Sequence, residues 1–279
     1  MIASFVLKLL AGITTSWLLM PRRDVADGFF RIQMLVVLGL AVLLVLAFDP
    51  VTLAGPPQIP SSVSATSPQS ASAIASQKEL SGLPKAVRWL RGLAFAIAVL
   101  AYPGHILWKL GRRPAGTFCI LAIGLLSSAS LALLSIQLAR GTPIALQLLA
   151  NGSSAMVLGG VLTGMLLGHW YLTTPGMSLK PLIWFCPLLA SAATARLAAT
   201  GLAIATSGLP PTDLVRMIWL ALRILGGILA PAAAALLVRQ ILRYRNTQSA
   251  TGVLFAVLIL VFMGEMSAAL LERDLGVPY

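Results

Sequence analysis

Charge is scarce in this sequence. Of 279 residues only 10% are Asp, Glu, Lys or Arg, against roughly 25% in a soluble domain. Acids are scarcer still, with 8 Asp and Glu against 20 Lys and Arg, and there are 2 histidines and 2 cysteines. So few charges leave no polar shell to cover a water-soluble globule. Cys119 and Cys186 lie far apart inside apolar runs, which excludes a knuckle-type metal site and reads as two buried, inert thiols. Phosphate loops, Cys-x-x-Cys pairs, His-Glu-x-x-His motifs and Ser-His-Asp sets are all missing, so no self-contained catalytic machinery is evident and no metal site is expected.

What is abundant is apolar side chain. Hydrophobic residues make up 58% of the chain, and the mean hydropathy is +0.92. A helix rises 1.5 Å per residue and needs about 20 apolar residues to cross a bilayer. Eight stretches qualify: approximately 3–20, 31–48, 88–108, 115–138, 144–169, 181–206, 213–238 and 250–270. The first is short and carries Lys8, but Met20-Pro21-Arg22-Arg23 closes it with charge at the wrong end for a secretory signal, so it reads as a span. The expected fold is an all-α, polytopic membrane helix bundle.

Lys and Arg lie at the ends of the apolar runs, a topological placement and not a nucleic-acid-binding stripe. With the first connection inside, that face holds Arg22, Arg23, Arg31, Lys109, Arg112, Arg113, Lys180, Arg239, Arg243 and Arg245 against Asp24 and Asp27, a net +8. The opposite face holds seven cations and five acids, a net +2. The positive-inside rule therefore places both chain ends outside. Residues 1–48 carry spans one and two and residues 88–279 spans three to eight, all one membrane domain. Between them, residues 49–87, with the run Ser61-Ser62-Val63-Ser64-Ala65-Thr66-Ser67-Pro68, are too poor in bulky apolar residues to bury a core and read as a flexible outer loop. No internal repeat is apparent.

An ionisable residue at membrane depth is costly, which marks it as a candidate for function. Three stand out: Arg196, Arg223 and Glu265. Arg196 lies about 15 residues from the inner end of span six, Arg223 about ten from the outer end of span seven, and Glu265 late in the outward-going span eight, so all three fall in the outer half. Asn151 and Gln147 on span five reach the same layer. Such a cluster is expected to pair internally, locking spans six to eight. It also suits a quinone headgroup, with Arg or Asn holding an oxygen while Glu265 takes a proton and passes it outward through Glu272 or Asp274. An ion or solute pathway is a further reading.

His105, ending span three, and His169, ending span five, both lie at the inner surface. Opposed histidines can hold a haem b iron, although Trp108, Trp170 and Tyr171 beside them also fit an interfacial aromatic belt. On span five Gly160, Gly164 and Gly168 recur every four residues, and on span seven Gly226 and Gly227 precede Ala230, Pro231, Ala233 and Ala234, two surfaces suited to close helix contact.

Eight spans, both ends outside and the run Gly264-Glu265-Met266-Ser267-Ala268-Ala269-Leu270-Leu271 together resemble the quinol-interacting membrane anchors of dimethyl-sulfoxide and polysulfide reductases. The run is similar to a Glu-x-x-Gly-Arg segment of that group, with Ala268 and Ala269 standing where Gly-Arg would be. The resemblance implies a quinone-binding role for Glu265 and partner subunits carrying iron-sulfur clusters, haems or molybdenum. The expectation is thus an inner-membrane, multi-pass subunit of a respiratory or electron-transfer complex. Its partners would be lipid and other membrane or peripheral subunits, not nucleic acid. A non-catalytic scaffolding subunit and a small-solute transporter are the alternatives.

Overall fold

The eight apolar stretches are eight helices in the computed structural model, which describes residues 2–48, 85–139, 142–174, 176–207 and 213–275. They are α1 (Ile2–Leu19), α2 (Asp27–Ala47), α3 (Lys85–Lys109), α4 (Arg113–Leu138), α5 (Ile144–Thr173), α6 (Lys180–Ser207), α7 and α8 (Thr247–Leu275). Helix α7 is composite: Leu214–Ile224, a π-helical turn Leu225–Leu229 and Ala230–Arg243 run on without a break. All eight are long and apolar enough to cross a membrane, and no strand occurs among the described residues. The expected outer loop over 49–87 falls outside the described residues as far as residue 84; its last three residues instead open α3.

Sharp turns let successive helices run antiparallel. At the α3–α4 turn Gly111 adopts φ +68. The Arg112 N–H donates to the Leu107 carbonyl at 3.0 Å and the Gly111 N–H to the Trp108 carbonyl at 3.3 Å. This paired pattern ends a helix around a left-handed residue, where glycine carries no steric cost. Pro114, just inside α4, restarts the helix where its missing N–H is harmless. At the α7–α8 turn Asn246 caps the next helix, its Oδ1 accepting from the Ser249 N–H at 2.9 Å.

The helices close into two rings. In the first half α1 packs on α2, α2 on α3, α3 on α4 and α4 on α1; in the second α5 packs on α6, α6 on α7, α7 on α8 and α8 on α5. The chain is therefore two up-down four-helix bundles in series, although the sequence shows no repeat. Short connections close four antiparallel helices the same way whatever residues fill the core. The bundles meet mainly along their first helices, α1 against α5, and the meeting point is backbone on backbone. A Cβ built on Gly12 would stand 1.8 Å from the Ala155 carbonyl oxygen, and one on Gly159 2.1 Å from the carbonyl carbon of Gly12. Only hydrogen fits at either position. The expected glycine face on α5 is thus corrected by one residue: the intimate contact is at Gly159, whereas a Cβ on Gly160 would meet nothing closer than 3.9 Å. Gly168 of the expected set is tight, 2.6 Å from the Thr251 hydroxyl, and Gly164 is in ordinary contact with Phe185.

Near the cationic end of the first bundle lies an aromatic cluster. Phe30 stacks on Trp108 with centroids 4.6 Å apart and meets Trp17 and Phe29 edge-on. At that same end Arg113 and Asp27 pair at 2.9 Å. The opposite end, outer by the charge distribution, is where the buried charges lie.

Candidate functional site

Two helices set the frame of the site. Antiparallel α5 and α8 face each other in a heptad register: Gln147, Ser154, Val161 and Gly168 along one, Glu272, Glu265, Leu258 and Thr251 along the other. Three of these rungs are direct contacts. The Gly168 backbone abuts Thr251, the Ser154 hydroxyl donates to the Glu265 carboxylate, and Gln147 Nε2 donates to Glu272 Oε1 at 3.1 Å. The rungs are apolar or small toward the cationic end and polar toward the other.

On its other side Glu265 receives Arg223, whose Nη1 donates to Oε1. Both residues are out of reach of lipid and water, Arg223 with 0% and Glu265 with 2% of its side chain exposed. The π-turn explains how the pair forms. It begins two residues after Arg223 and contains Gly226 and Gly227, and the extra residue it inserts turns this face of α7 onto α8. Glycine is required there: a Cβ on Gly226 would stand 2.8 Å from the Leu260 carbonyl oxygen, and one on Gly264 2.5 Å from the Gly227 Cα. The two backbones come close enough for a guanidinium and a carboxylate to meet directly.

Arg196 arrives from α6, 2% exposed. Its Nη1 donates to the Ala150 carbonyl on α5 at 2.6 Å. Asn151, the next residue, uses Nδ2 to donate to Ser135 Oγ on α4 at 3.0 Å, and both are buried. Arg196, Arg223, Glu265 and Asn151 are thus all buried and their contacts involve helices α4 to α8. Arg223 keeps two buried donors, Nε and Nη2, with no partner among the described residues. Ser154 and Ser135 were not anticipated; a heptad step from Gln147 leads to Ser154, but only the packing of α4 on α5 identifies Ser135.

Two lipid-open grooves border these residues on either side of α5, and both include Leu148, Gly152 and Met156. One, of about 260 Å³, runs between α1, α4 and α5 and is lined by the polar residues Thr15, Ser128 and Ser135. The other, of about 420 Å³, lies between α5 and α6 and includes Ser153 and Ser191. Neither is lined by Arg223 or Glu265. The first reaches Asn151 through Ser135, its hydrogen-bond partner.

The histidines are not brought together. Helices α3 and α5 are not packed neighbours, His169 is exposed, and His105 Nδ1 lies 2.8 Å from the Arg31 carbonyl on α2. A porphyrin sandwiched between two axial imidazoles needs them opposed across one space, and this arrangement does not fit that need. Cys119 and Cys186 are buried free thiols. Among the described residues no group of three His, Cys, Asp or Glu side chains is placed to hold a metal ion.

Fold and site together define an all-α, multi-pass integral membrane protein whose second bundle carries a buried charged layer. No family model, no curated protein and no solved structure matches the chain.

Proposed function

We propose that this chain is the membrane-embedded subunit of an electron-transfer assembly of the cell (inner) membrane, and that its charged layer handles the protons of a quinone/quinol couple. The position of Glu265 carries the reading. It is a buried carboxylate held by Arg223 and Ser154, with the Gln147–Glu272 rung one heptad nearer the outer end. Seven residues of helix are about 10 Å, and Gln147 on the facing helix bonds the outer carboxylate of that step.

Oxidation of a quinol releases two protons and two electrons. In this reading the headgroup enters from lipid by the groove of about 260 Å³, a size below the roughly 300–1,000 Å³ of sites for drug-sized ligands and suited to a single ring. One oxygen bonds Ser135 or Asn151. Glu265 takes the two protons one after the other and passes each to the outer surface by way of Glu272, while the two electrons pass to redox centres of partner subunits. Arg223 stabilises the charge on Glu265 between transfers.

A second reading is favoured by a different feature: the Arg223–Glu265 pair is closed on itself, and neither groove touches it. On that reading the chain is a scaffolding subunit and the pair locks α7 to α8. One purification in mild detergent separates the two. A quinone retained by the wild type and lost in Glu265→Gln and Ser135→Leu supports the first; copurifying subunits with no quinone in any preparation support the second and overturn the first. Solute uptake by proteoliposomes holding this chain alone would displace both in favour of a transporter.

A further inference from the structure

The groove between α1, α4 and α5 is walled on α4 by Ser128, Leu131, Ala132 and Ser135, which recur at the spacing of one helix face. Its two serines are one heptad apart, about 10 Å along the axis. Between those levels the other walls are small, with Ala11 from α1 and Gly152 and Ala155 from α5, and a Cβ built on Gly152 would meet nothing within 4 Å. The result is a slot with a hydroxyl at each end.

The end nearer the cationic face carries two hydroxyls from different helices. Thr14 and Ser127 are hydrogen-bonded at 2.6 Å, which sets α1 and α4 level with each other there. Thr15 and Ser128 are the next residues along, and both line the groove. A serine or threonine on a membrane helix commonly turns its hydroxyl onto a carbonyl of the preceding turn, as Ser130, Ser153, Ser191, Thr194 and Ser267 do. Among the described residues neither the Thr15 nor the Ser128 hydroxyl makes a hydrogen bond. Two unengaged hydroxyls facing hydrocarbon are costly unless a ligand meets them.

The other end differs in chemistry. Ser135 gives its proton to the Leu131 carbonyl at 2.8 Å and accepts from Asn151 Nδ2 at 3.0 Å. One lone pair is left, so this end accepts, whereas Thr15 and Ser128 can each donate or accept. Oxygens placed para on a six-membered ring are about 5–6 Å apart, and a hydrogen bond of about 2.7 Å at each end extends the reach to about 11 Å. That reach matches the spacing of the two serines.

We propose that the ring of the quinone/quinol couple lies lengthwise in this slot, one oxygen on Ser135 and the para oxygen shared by Thr15 and Ser128. The inference rests on the reading that a quinone headgroup enters this groove, and it assigns the second oxygen. Thr15 and Ser128 are then the residues that select a para-dioxygen ring. A quinol hydroxyl donates to Ser135, so the reduced form is the better fit and the better probe.

The test is calorimetric titration of the full-length protein, in mild detergent and without air, with a decyl-substituted para-benzoquinol and with its ortho isomer, whose adjacent oxygens cannot span the slot. Wild type is expected to bind the para isomer about tenfold more tightly than the ortho isomer, and Thr15→Val/Ser128→Ala to lose about tenfold for the para isomer. Ser191→Ala, in the groove between α5 and α6, keeps wild-type affinity. Equal binding of the two isomers by the wild type overturns the inference, and so does a loss in Ser191→Ala as large as in the double variant. If the double variant aggregates, Ser128→Ala alone is read, at an exposed position, with an expected loss of about threefold; unchanged affinity there overturns the inference. Wild-type affinity in Thr15→Val/Ser128→Ala with binding lost in Ser135→Leu ends this inference and leaves the headgroup in the groove. A wild type that binds no para-benzoquinol ends both.

Discussion

In the first bundle, the first and last helices exchange a buried hydrogen bond between two hydroxyls, Thr14 and Ser127, 2.6 Å apart. In the second, the corresponding pair of helices is joined by Ser154 and Glu265, and the carboxylate brings Arg223 with it. The topology of the halves is the same, so the difference is chemical. A neutral hydroxyl can also satisfy itself on its own helix, as Thr14 does on the Leu10 carbonyl at 2.9 Å; such bonds between membrane helices average about 0.6 kcal/mol. A buried guanidinium has no such refuge. The first bundle is held by aromatic and apolar packing and tolerates the loss of its polar contact, while the second is committed to its charges.

Breaking that commitment should produce the largest effect. Glu265→Leu leaves Arg223 buried without its counter-ion and is expected to destabilise the second bundle by about 3–5 kcal/mol, whereas the double variant Arg223→Leu/Glu265→Leu recovers most of the loss. Equilibrium unfolding in mixed micelles measures both. A double variant as unstable as the single one would mean that the pair is not what the layer depends on. The junction between the bundles comes next. Gly159→Ala puts a methyl where the Gly12 backbone lies, at a cost of about 1–3 kcal/mol, while Gly160→Ala, with no atom nearer than 3.9 Å to its new methyl, changes stability by less than about 0.5 kcal/mol. Equal effects at the two adjacent glycines would refute the α1–α5 contact.

Much of this was legible in the residues. Eight spans follow from length and hydropathy alone, because lipid allows a spanning segment little choice but a helix. The depth of Arg196, Arg223 and Glu265 follows from counting residues between charged turns. What could not be read was which helices face each other. Gly159 and Gly160 are alike in sequence, and only the packing of α1 decides which of them is buried against backbone. Lys8 reads as a flaw in a short span, and nothing local shows that packing leaves it only 7% exposed. The π-turn at Leu225–Leu229 has no local signature beyond its glycine pair, and without it the register between Arg223 and Glu265 is not obvious. The haem reading of His105 and His169 failed to find support for the same reason: equal depth does not imply a shared space.

Below these effects lies the neutral pair of the first bundle. Thr14→Val should cost about 0.6 kcal/mol, because Ser127 retains its own bond to the Gly124 carbonyl at 3.0 Å. A loss comparable to that of Glu265→Leu would erase the distinction between the halves.

A surface pair sharpens the comparison most, since it concerns the same two helices and the same kind of ions. Arg216 on α7 pairs with Asp274 on α8 at 2.6 Å, one heptad outward from Arg223, with side chains 39% and 41% exposed. Water solvates both ions whether or not they touch, so the pair contributes at most about 1 kcal/mol and added salt weakens it. Arg216→Ala is therefore expected to lower stability by less than about 1 kcal/mol, and by still less at high ionic strength. Arg223→Leu, seven residues away, should be insensitive to salt because no counter-ion reaches it. Measuring both variants at low and high salt isolates depth as the variable. If the two responded alike to salt, the inner pair would be open to water, and the charged layer would be a wet cleft and not a buried lock.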